Sequence, residues 1–370
     1  MKQKVIQLLL FALTFVTTTL AGAEWQFNRY LGLDESPLTW EYFWRGMWFS
    51  VPFLGILTVH EFGHYFMAKR HRVRVTLPYY LPMWLGFLFV PTIGTMGAFI
   101  RIKDAISTRK KYFDIGIAGP LAGFVVALGI LFYGFTHLPP PEYIFEIHPE
   151  YQQYGLAYAD HVYDQPGNIQ LGTTLLFDFF KEYVASPDRV PNSFEIIHYP
   201  WLFAGFLALF FTAFNLIPIG QLDGGHILYG LIGYRNHRWV SAGLFIAFIT
   251  YAGLGIITPA METETMLWSV PLYVGFLFIT FSRLTPEPQT NLMIAVSVFS
   301  FQFLLTVLFA GLTGYQGWLL FGFLIGRVLG VYHPQALYDQ PLDSTRTVLG
   351  WFALIVFVLC FSPSPFVIEL

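Results

Sequence analysis

The apolar residues of this chain are gathered into long blocks rather than alternating with polar residues. A membrane-spanning helix needs about 20 mainly apolar residues, and stretches of roughly that length recur along the sequence. They are residues 6–24, 45–68, 113–136, 201–232, 239–259, 266–283, 291–312, 316–331 and 347–364. Because 201–232 is interrupted and 316–331 is short, the pattern predicts an all-α polytopic membrane protein with eight to nine transmembrane segments.

Residues 75–104 depart from the helical pattern. Pro78, Pro82 and Pro91 interrupt any helix there, and "GTMGAFIRI" (94–102) combines glycine with residues that tolerate strands. Non-helical backbone at membrane depth is permitted only where protein or a water-filled cavity covers it. We therefore expect a re-entrant, partly β segment.

Composition agrees with a membrane environment. Hydrophobic residues make up 55% of the chain and charged residues 12%, against roughly 25% charged in soluble domains. The one cysteine, Cys360, excludes an intramolecular disulfide and a cysteine-rich metal site. The lipid bilayer is the expected surrounding and no nucleic acid is expected as a partner; the sequence leaves the oligomeric state open.

The distribution of charge predicts an orientation. Basic residues dominate 69–111, whereas 138–199 holds nine acidic and two basic residues. Basic loops stay in the cytoplasm, so 69–111 is expected inside and 138–199 outside, in a bacterial inner membrane. The first apolar block is either a retained anchor, which we favour, or a signal that is cleaved near "LAGA" (20–23). The stretch "TTLLFDFFKEYV" (173–184) is either a helix at the membrane interface or part of a small extracytoplasmic cap.

A polar motif interrupts the second block, where "HEFGH" supplies His60, Glu61 and His64. Ionisable groups in hydrocarbon cost about 2.5–3.5 kcal/mol on insertion scales, so a function is expected. Histidines four residues apart share a helix face and can bind one metal ion. Zinc with three protein ligands lowers the pKa of water to about 7, and Glu61 can accept and return a proton during attack on a carbonyl. The alternative is a histidine pair that snorkels to the cytoplasm beside Lys69.

A third ligand is expected from the motif "FNLIPIGQLDGGHILYG" (214–230). Asp223 interrupts an apolar block that also runs toward the cytoplasm, and Pro218 with nearby glycines would break the helix around it. His226 could orient Asp223 or cap the cytoplasmic side; Asn215 could bind a substrate carbonyl or a neighbouring helix. The other histidines fall in predicted loops or at span ends, where a solvated role is expected: His71, His137, His148, His161, His198, His237 and His333.

Four motifs together resemble the site-2 protease family of intramembrane zinc metalloproteases. They are "HEFGH" (60–64), "GTMGAFIRI" (94–102), "DIGIAGPLAGF" (114–124) and "NLIPIGQLDGGHI" (215–227). The resemblance implies one Zn²⁺ per chain held by His60, His64 and Asp223, with Glu61 as catalytic acid/base and Asn215 and Pro218 facing the substrate. It also implies that 94–102 meets an unwound substrate as a strand, where we expect Gly94 and Gly97 to allow close approach.

The expected function is therefore a zinc endopeptidase that cuts transmembrane segments of membrane proteins near the cytoplasmic leaflet, in regulated intramembrane proteolysis. The alternatives are an inactive membrane scaffold and an ion-coupled transporter. We expect an anchor and short outside loop in 1–44, the protease core in 45–232 and a region of unassigned role in 233–370. Segment 138–199 is short for the PDZ domain that many bacterial relatives carry. Gly119 and Gly123, at GxxxG spacing, predict close helix packing.

Overall fold

The computed structural model describes residues 2–29, 39–88, 90–163 and 169–368, and most of these are helical. The helices are α1 Lys2–Phe27, α2 Trp40–Arg70, α3 Arg109–Thr136, α4 Ile144–Ile147, α5 Leu175–Tyr183, α6 Pro200–Leu216, α7 Asp223–Ala252, α8 Thr263–Phe281, α9 Pro288–Leu308, α10 Trp318–Leu324 and α11 Ser344–Cys360. The strands are β1 Tyr79–Pro82, β2 Thr95–Phe99, β3 Ile169–Leu171 and β4 Phe366–Ile368. Short 3-10 turns and a π turn at Ile325–Leu329 join them.

Four helices in the described ranges are long and apolar enough to cross a membrane, namely α1, α3, α8 and α9. Helices α6 and α11 have 17 residues each, and the long helices α2 and α7 carry the polar motifs. The helical class is thus confirmed, whereas the count of eight to nine spans stays a prediction. The division into 1–44, 45–232 and 233–370 also stays a prediction.

The chain forms two compact units, and the first comprises 1–106, 117–214 and 355–370. In this unit α1 packs against α2 through small residues. A side chain at Gly22 would approach Phe49 to 2.8 Å, and the hydroxyls of Thr19 and Ser50 lie 2.7 Å apart in a buried hydrogen bond. Small residues let two backbones approach closely where packing must replace a hydrophobic driving force.

The partly β character expected for 75–104 is present as an antiparallel pair. Strands β1 and β2 pair with Tyr79 opposite Phe99 and Tyr80 opposite Ala98, and the register shifts before Pro82. The Thr95 hydroxyl donates to the Leu81 carbonyl at 2.8 Å. Among the described residues β2 pairs with β1 alone. Its re-entrant placement stays a prediction.

Segment 138–199 is built mainly from short turns. The predicted amphipathic helix is α5, whose first turn is capped by the Thr174 hydroxyl, which accepts from the Phe177 N–H at 3.0 Å. Strand β3 pairs antiparallel with β4, so that Leu171 lies opposite Phe366. This segment therefore takes part of its backbone pairing from a strand almost 200 residues later in the chain.

The second unit comprises 107–116 and 215–354. The break expected near Pro218 is present, because α6 ends at Leu216 and α7 begins at Asp223. The separation expected between 201–232 and 239–259 is present as a break inside α7, where Gly233 leaves the helical conformation (φ 77°, ψ 171°). The Arg109 side chain donates to the Gly230 carbonyl at 3.0 Å, which satisfies a backbone group at the kink.

Residues 333–346, whose purpose the sequence does not reveal, are held by ion pairs within this unit. Arg346 forms a bidentate pair with Asp114 at 2.6 and 2.9 Å and also contacts Asp343 at 2.5 Å. Asp339 accepts from the Tyr229 hydroxyl at 3.2 Å and pairs with Arg109 at 3.6 Å. The segment is thus fixed against the starts of α3 and α7.

Candidate metal centre and active site

His60, Glu61 and His64 lie on α2 and are buried, with 7%, 5% and 8% of their surfaces exposed. The four-residue spacing places the two imidazoles one turn apart on one helix face, so that their Nε2 atoms are 3.1 Å apart. The structure therefore brings together the three residues of the motif "HEFGH" that the sequence singles out.

The two imidazoles fit a zinc ion. Two ligand atoms at about 2.0–2.1 Å from a tetrahedral centre lie about 3.3 Å from each other, close to the observed 3.1 Å between the Nε2 atoms. Imidazole nitrogen is also a preferred zinc ligand. Both the donor chemistry and the spacing are thus suitable for two of the ligands of one ion.

Two glycines of α3 make room for these rings. A side chain at Gly119 would overlap the imidazole of His64, and one at Gly123 would come within 3.2 Å of the His60 Cβ. A side chain at Gly63 would in turn approach the Ala118 carbonyl to 2.5 Å. The close packing predicted for Gly119 and Gly123 is present, and its consequence for the site is new: their spacing of four repeats the spacing of the histidines.

The second predicted motif lies in the second unit. Asn215 is in the last turn of α6, Pro218 lies in the break that follows, and Asp223 is the first residue of α7. A carboxylate at a helix N-terminus interacts favourably with the helix dipole. The metal, catalytic and substrate roles of the predicted site residues are taken up as proposals below.

His226 contacts a histidine that the sequence assigns to solvent. Its Nδ1 lies 2.7 Å from the Nε2 of His333, and the Nδ1 of His333 donates to the Pro334 carbonyl at 2.6 Å. The two roles considered for His226 both stay open. His333 is a residue that sequence reasoning missed, because it comes from a loop more than 100 positions away.

Burial also corrects the expectation of a solvated role for other histidines. His198, His237 and His333 have only 4%, 1% and 2% of their surfaces exposed. The sequence gives no signal for this, because the segments that cover them are irregular and distant in the chain. His71 and His161, by contrast, are half-buried and exposed respectively.

Gly94, which precedes β2, and Gly97, which lies within it, differ in their surroundings. Gly94 (φ 80°) lies against the backbone of Thr17 and Thr18 in α1, and its carbonyl accepts from the Thr17 hydroxyl at 2.7 Å. A Cβ at Gly97 (φ 102°) would meet nothing within 4 Å. Gly94 therefore has a packing role toward α1, while open space adjoins Gly97.

Comparison with known proteins decides the family. The family model described as "Peptidase family M50" matches residues 48–258, more than half of the chain. The chain belongs to peptidase family M50. This confirms the resemblance to the site-2 protease family.

Curated relatives of this M50 chain include plant proteins. It is 28% identical over 204 residues to "Probable zinc metalloprotease EGY1, chloroplastic" of Oryza sativa subsp. japonica, covering 55% of this chain and 30% of that protein. The protein of the same name from Arabidopsis thaliana is 26% identical over 273 residues, 69% of this chain and 43% of that protein. The chain thus spans less than half the length of these relatives. No solved structure matches.

Proposed function

We propose that this chain is an intramembrane zinc endopeptidase that hydrolyses peptide bonds in the transmembrane segments of other membrane proteins. The observation that carries the proposal is the buried group His60, Glu61 and His64, whose two Nε2 atoms are 3.1 Å apart. Its position on a helix of an M50 chain, rather than in a soluble domain, supports a substrate inside the bilayer.

One zinc ion would be held by His60, His64 and Asp223. This ligand set rests on the motifs and the family. When bound, zinc supplies Lewis acidity toward a peptide carbonyl. Glu61 does not need to be a ligand: as the neighbour of His60 it accepts a proton from the attacking water and delivers it to the departing amine nitrogen.

The substrate is expected to meet the enzyme as a strand. A helix keeps its carbonyls hydrogen-bonded, and unpaired amides cost several kcal/mol each in hydrocarbon. Strand β2 supports a β-augmentation role, because it pairs only with β1 in the described chain and open space adjoins Gly97. Asn215 and Pro218 would face the substrate from the second motif.

The proposed setting is a bacterial inner membrane, with 69–111 and the active site toward the cytoplasm and with cleavage as a step of regulated proteolysis. The charge distribution supports this orientation; the named plant relatives are chloroplast proteins. Cysteines replacing Lys110 and Glu150 in a Cys360→Ser chain should react with impermeant reagents from opposite sides of sealed vesicles. Reaction from one side would overturn the orientation.

The proposed activity is tested by measuring zinc content and cleavage of a reporter membrane segment in parallel. Glu61→Gln should keep zinc and lose cleavage by about 10²–10⁴-fold, the usual contribution of a general acid/base. A scaffold or transporter would show no cleavage in the unaltered chain. Near-normal cleavage by purified Glu61→Gln would contradict the role of Glu61.

A further inference from the structure

A second group of metal-ligating side chains lies in segment 138–199. His148 follows α4, Glu195 precedes the 3-10 turn Ile196–His198, and His198 ends that turn. One ligand atom from each lies within 4.8 Å of the others. Their side chains are 17%, 3% and 5% exposed.

The separations of the ligand atoms match a tetrahedral ion. The Nε2 atoms of His148 and His198 are 3.3 Å apart, and the Glu195 Oε2 lies 3.4 Å from His198 Nε2 and 3.9 Å from His148 Nε2. Ligand atoms bound at about 2.0–2.2 Å to a tetrahedral zinc are separated by about 3.3–3.5 Å. The two separations that involve His198 fall in this range, and the separation between Glu195 and His148 is slightly longer.

The outer hydrogen bonds direct the lone pairs of the two rings toward the same point. His198 Nδ1 lies 2.9 Å from the Gln26 carbonyl, and His148 Nδ1 lies 3.0 Å from the Glu150 carboxylate. Since these partners only accept, the proton of each neutral ring sits on Nδ1 and leaves Nε2 as a lone pair.

Three acceptor atoms therefore converge on one buried point: two Nε2 atoms and the Glu195 Oε2. The other oxygen, Oε1, accepts from the Tyr163 hydroxyl. Convergent lone pairs in a buried place repel one another unless a metal ion or a proton lies between them. Metal-binding histidines usually donate their second N–H to a carboxylate or backbone carbonyl, and both histidines here do so.

We propose that His148, Glu195 and His198 bind one divalent transition-metal ion of the zinc class, separate from the ion assigned to His60 and His64. Two imidazoles and a carboxylate are a zinc-type ligand set, and three protein ligands leave a fourth position. The three side chains also line a cavity of about 210 Å³, shared with Trp25 and Pro91, that can admit water to this position.

The ion would connect two parts of the first unit. His148, Glu195 and His198 belong to the segment between α3 and α6, whereas the carbonyl that orients His198 belongs to Gln26 near the end of α1. An ion held by these residues fixes the segment relative to that helix end. Metal binding to the folded form then stabilises this packing by an amount that grows with the logarithm of the free metal concentration once that concentration exceeds the dissociation constant.

The test counts metal ions in the purified full chain. Metal-stripped protein in detergent is equilibrated with Zn²⁺, and bound metal is measured by mass spectrometry. His148→Ala should bind one equivalent fewer than the unaltered chain, and so should the isosteric Glu195→Gln. This difference is expected whether or not the His60–His64 pair is occupied, so failure of the proposed protease site would not be confused with failure of this one.

His161→Ala is the matched control, because His161 is an exposed histidine of the same segment; it should keep the full count. If His148→Ala does not fold by gel filtration, Glu150→Gln replaces it and should weaken Zn²⁺ binding by about 10–100-fold, as other outer hydrogen-bond partners do. An unchanged metal count in folded His148→Ala, or unchanged affinity in Glu150→Gln, would show that a proton rather than a metal joins these groups.

Discussion

Four residues of sequence separate the imidazoles of His60 and His64, whereas 50 separate those of His148 and His198. The first pair lies on one helix, so the helical period alone places its nitrogens together. His148, Glu195 and His198 are brought together by turns, and no periodic pattern in the sequence predicts their approach. The two groups present similar ligand atoms at similar separations. A metal-binding geometry can thus be encoded by local spacing or by the path of the chain.

The comparison has a chemical side as well. Beside His60 lies Glu61, a buried carboxylate of the same helix, to which the proposed mechanism assigns proton transfer. In segment 138–199 the buried carboxylate, Glu195, is itself placed as a ligand. The first arrangement suits hydrolysis, and the second suits a structural ion whose fourth position is open to water.

The largest expected effect comes from removing the Asp223 carboxylate, which should abolish one metal site and leave the other intact. Asp223→Ala leaves two imidazoles on α2, too few for a stable tetrahedral site, so cleavage of a reporter segment should become undetectable. The ion assigned to His148, Glu195 and His198 should stay, so the metal count should fall by one and not to zero. Full metal content after dialysis against a weak chelator would show that the third ligand is another residue.

A smaller effect should follow from Gly119→Ala. The added methyl group would overlap the His64 ring, and a displacement of about 1 Å can cost up to about 10²-fold in rate. Gly129→Ala in the same helix is the control, because a Cβ there meets nothing within 4 Å. Both rates are measured with the same reporter. Equal cleavage by the two variants would mean that the ring tolerates the methyl group.

The smallest effect concerns the substrate. Replacing leucine by glycine in a reporter segment lowers the cost of unwinding by about 1 kcal/mol, which corresponds to roughly fivefold faster cleavage.

Ala98→Pro in β2 should slow cleavage without removing zinc, because proline lacks the N–H that a strand edge donates. If all-leucine segments are cut as fast as interrupted ones and Ala98→Pro is fully active, pairing with β2 is not part of the mechanism.

The sequence predicts those features whose cause is local. The period of α2 predicts the approach of His60 to His64, and Pro218 predicts the break before Asp223. The burial of His198 could not be predicted, because its carbonyl partner, Gln26, is 172 positions away. The break between 201–232 and 239–259 is another local feature that the sequence predicts, because the polar residues 234–238 interrupt the apolar run and the backbone leaves the helical conformation at Gly233.

The packing of Gly119 and Gly123 against the histidines could be predicted only in part from the sequence. Their spacing predicts helix packing, but nothing local identifies the packed surface as two histidines. The signal that could have found it is the equal spacing of four in both motifs.

The pairing of β3 with β4 has a consequence for the order in which the protein is assembled. Residues 169–171 emerge from the ribosome long before 366–368, and the helices α5 to α11 are synthesised in between. Non-local strand pairing forms late, because the intervening chain must first be made and ordered. The backbone of β3 therefore cannot pair with β4 until the chain beyond α11 has been synthesised. Completion of segment 138–199 is thus a late event in the biogenesis of the protein.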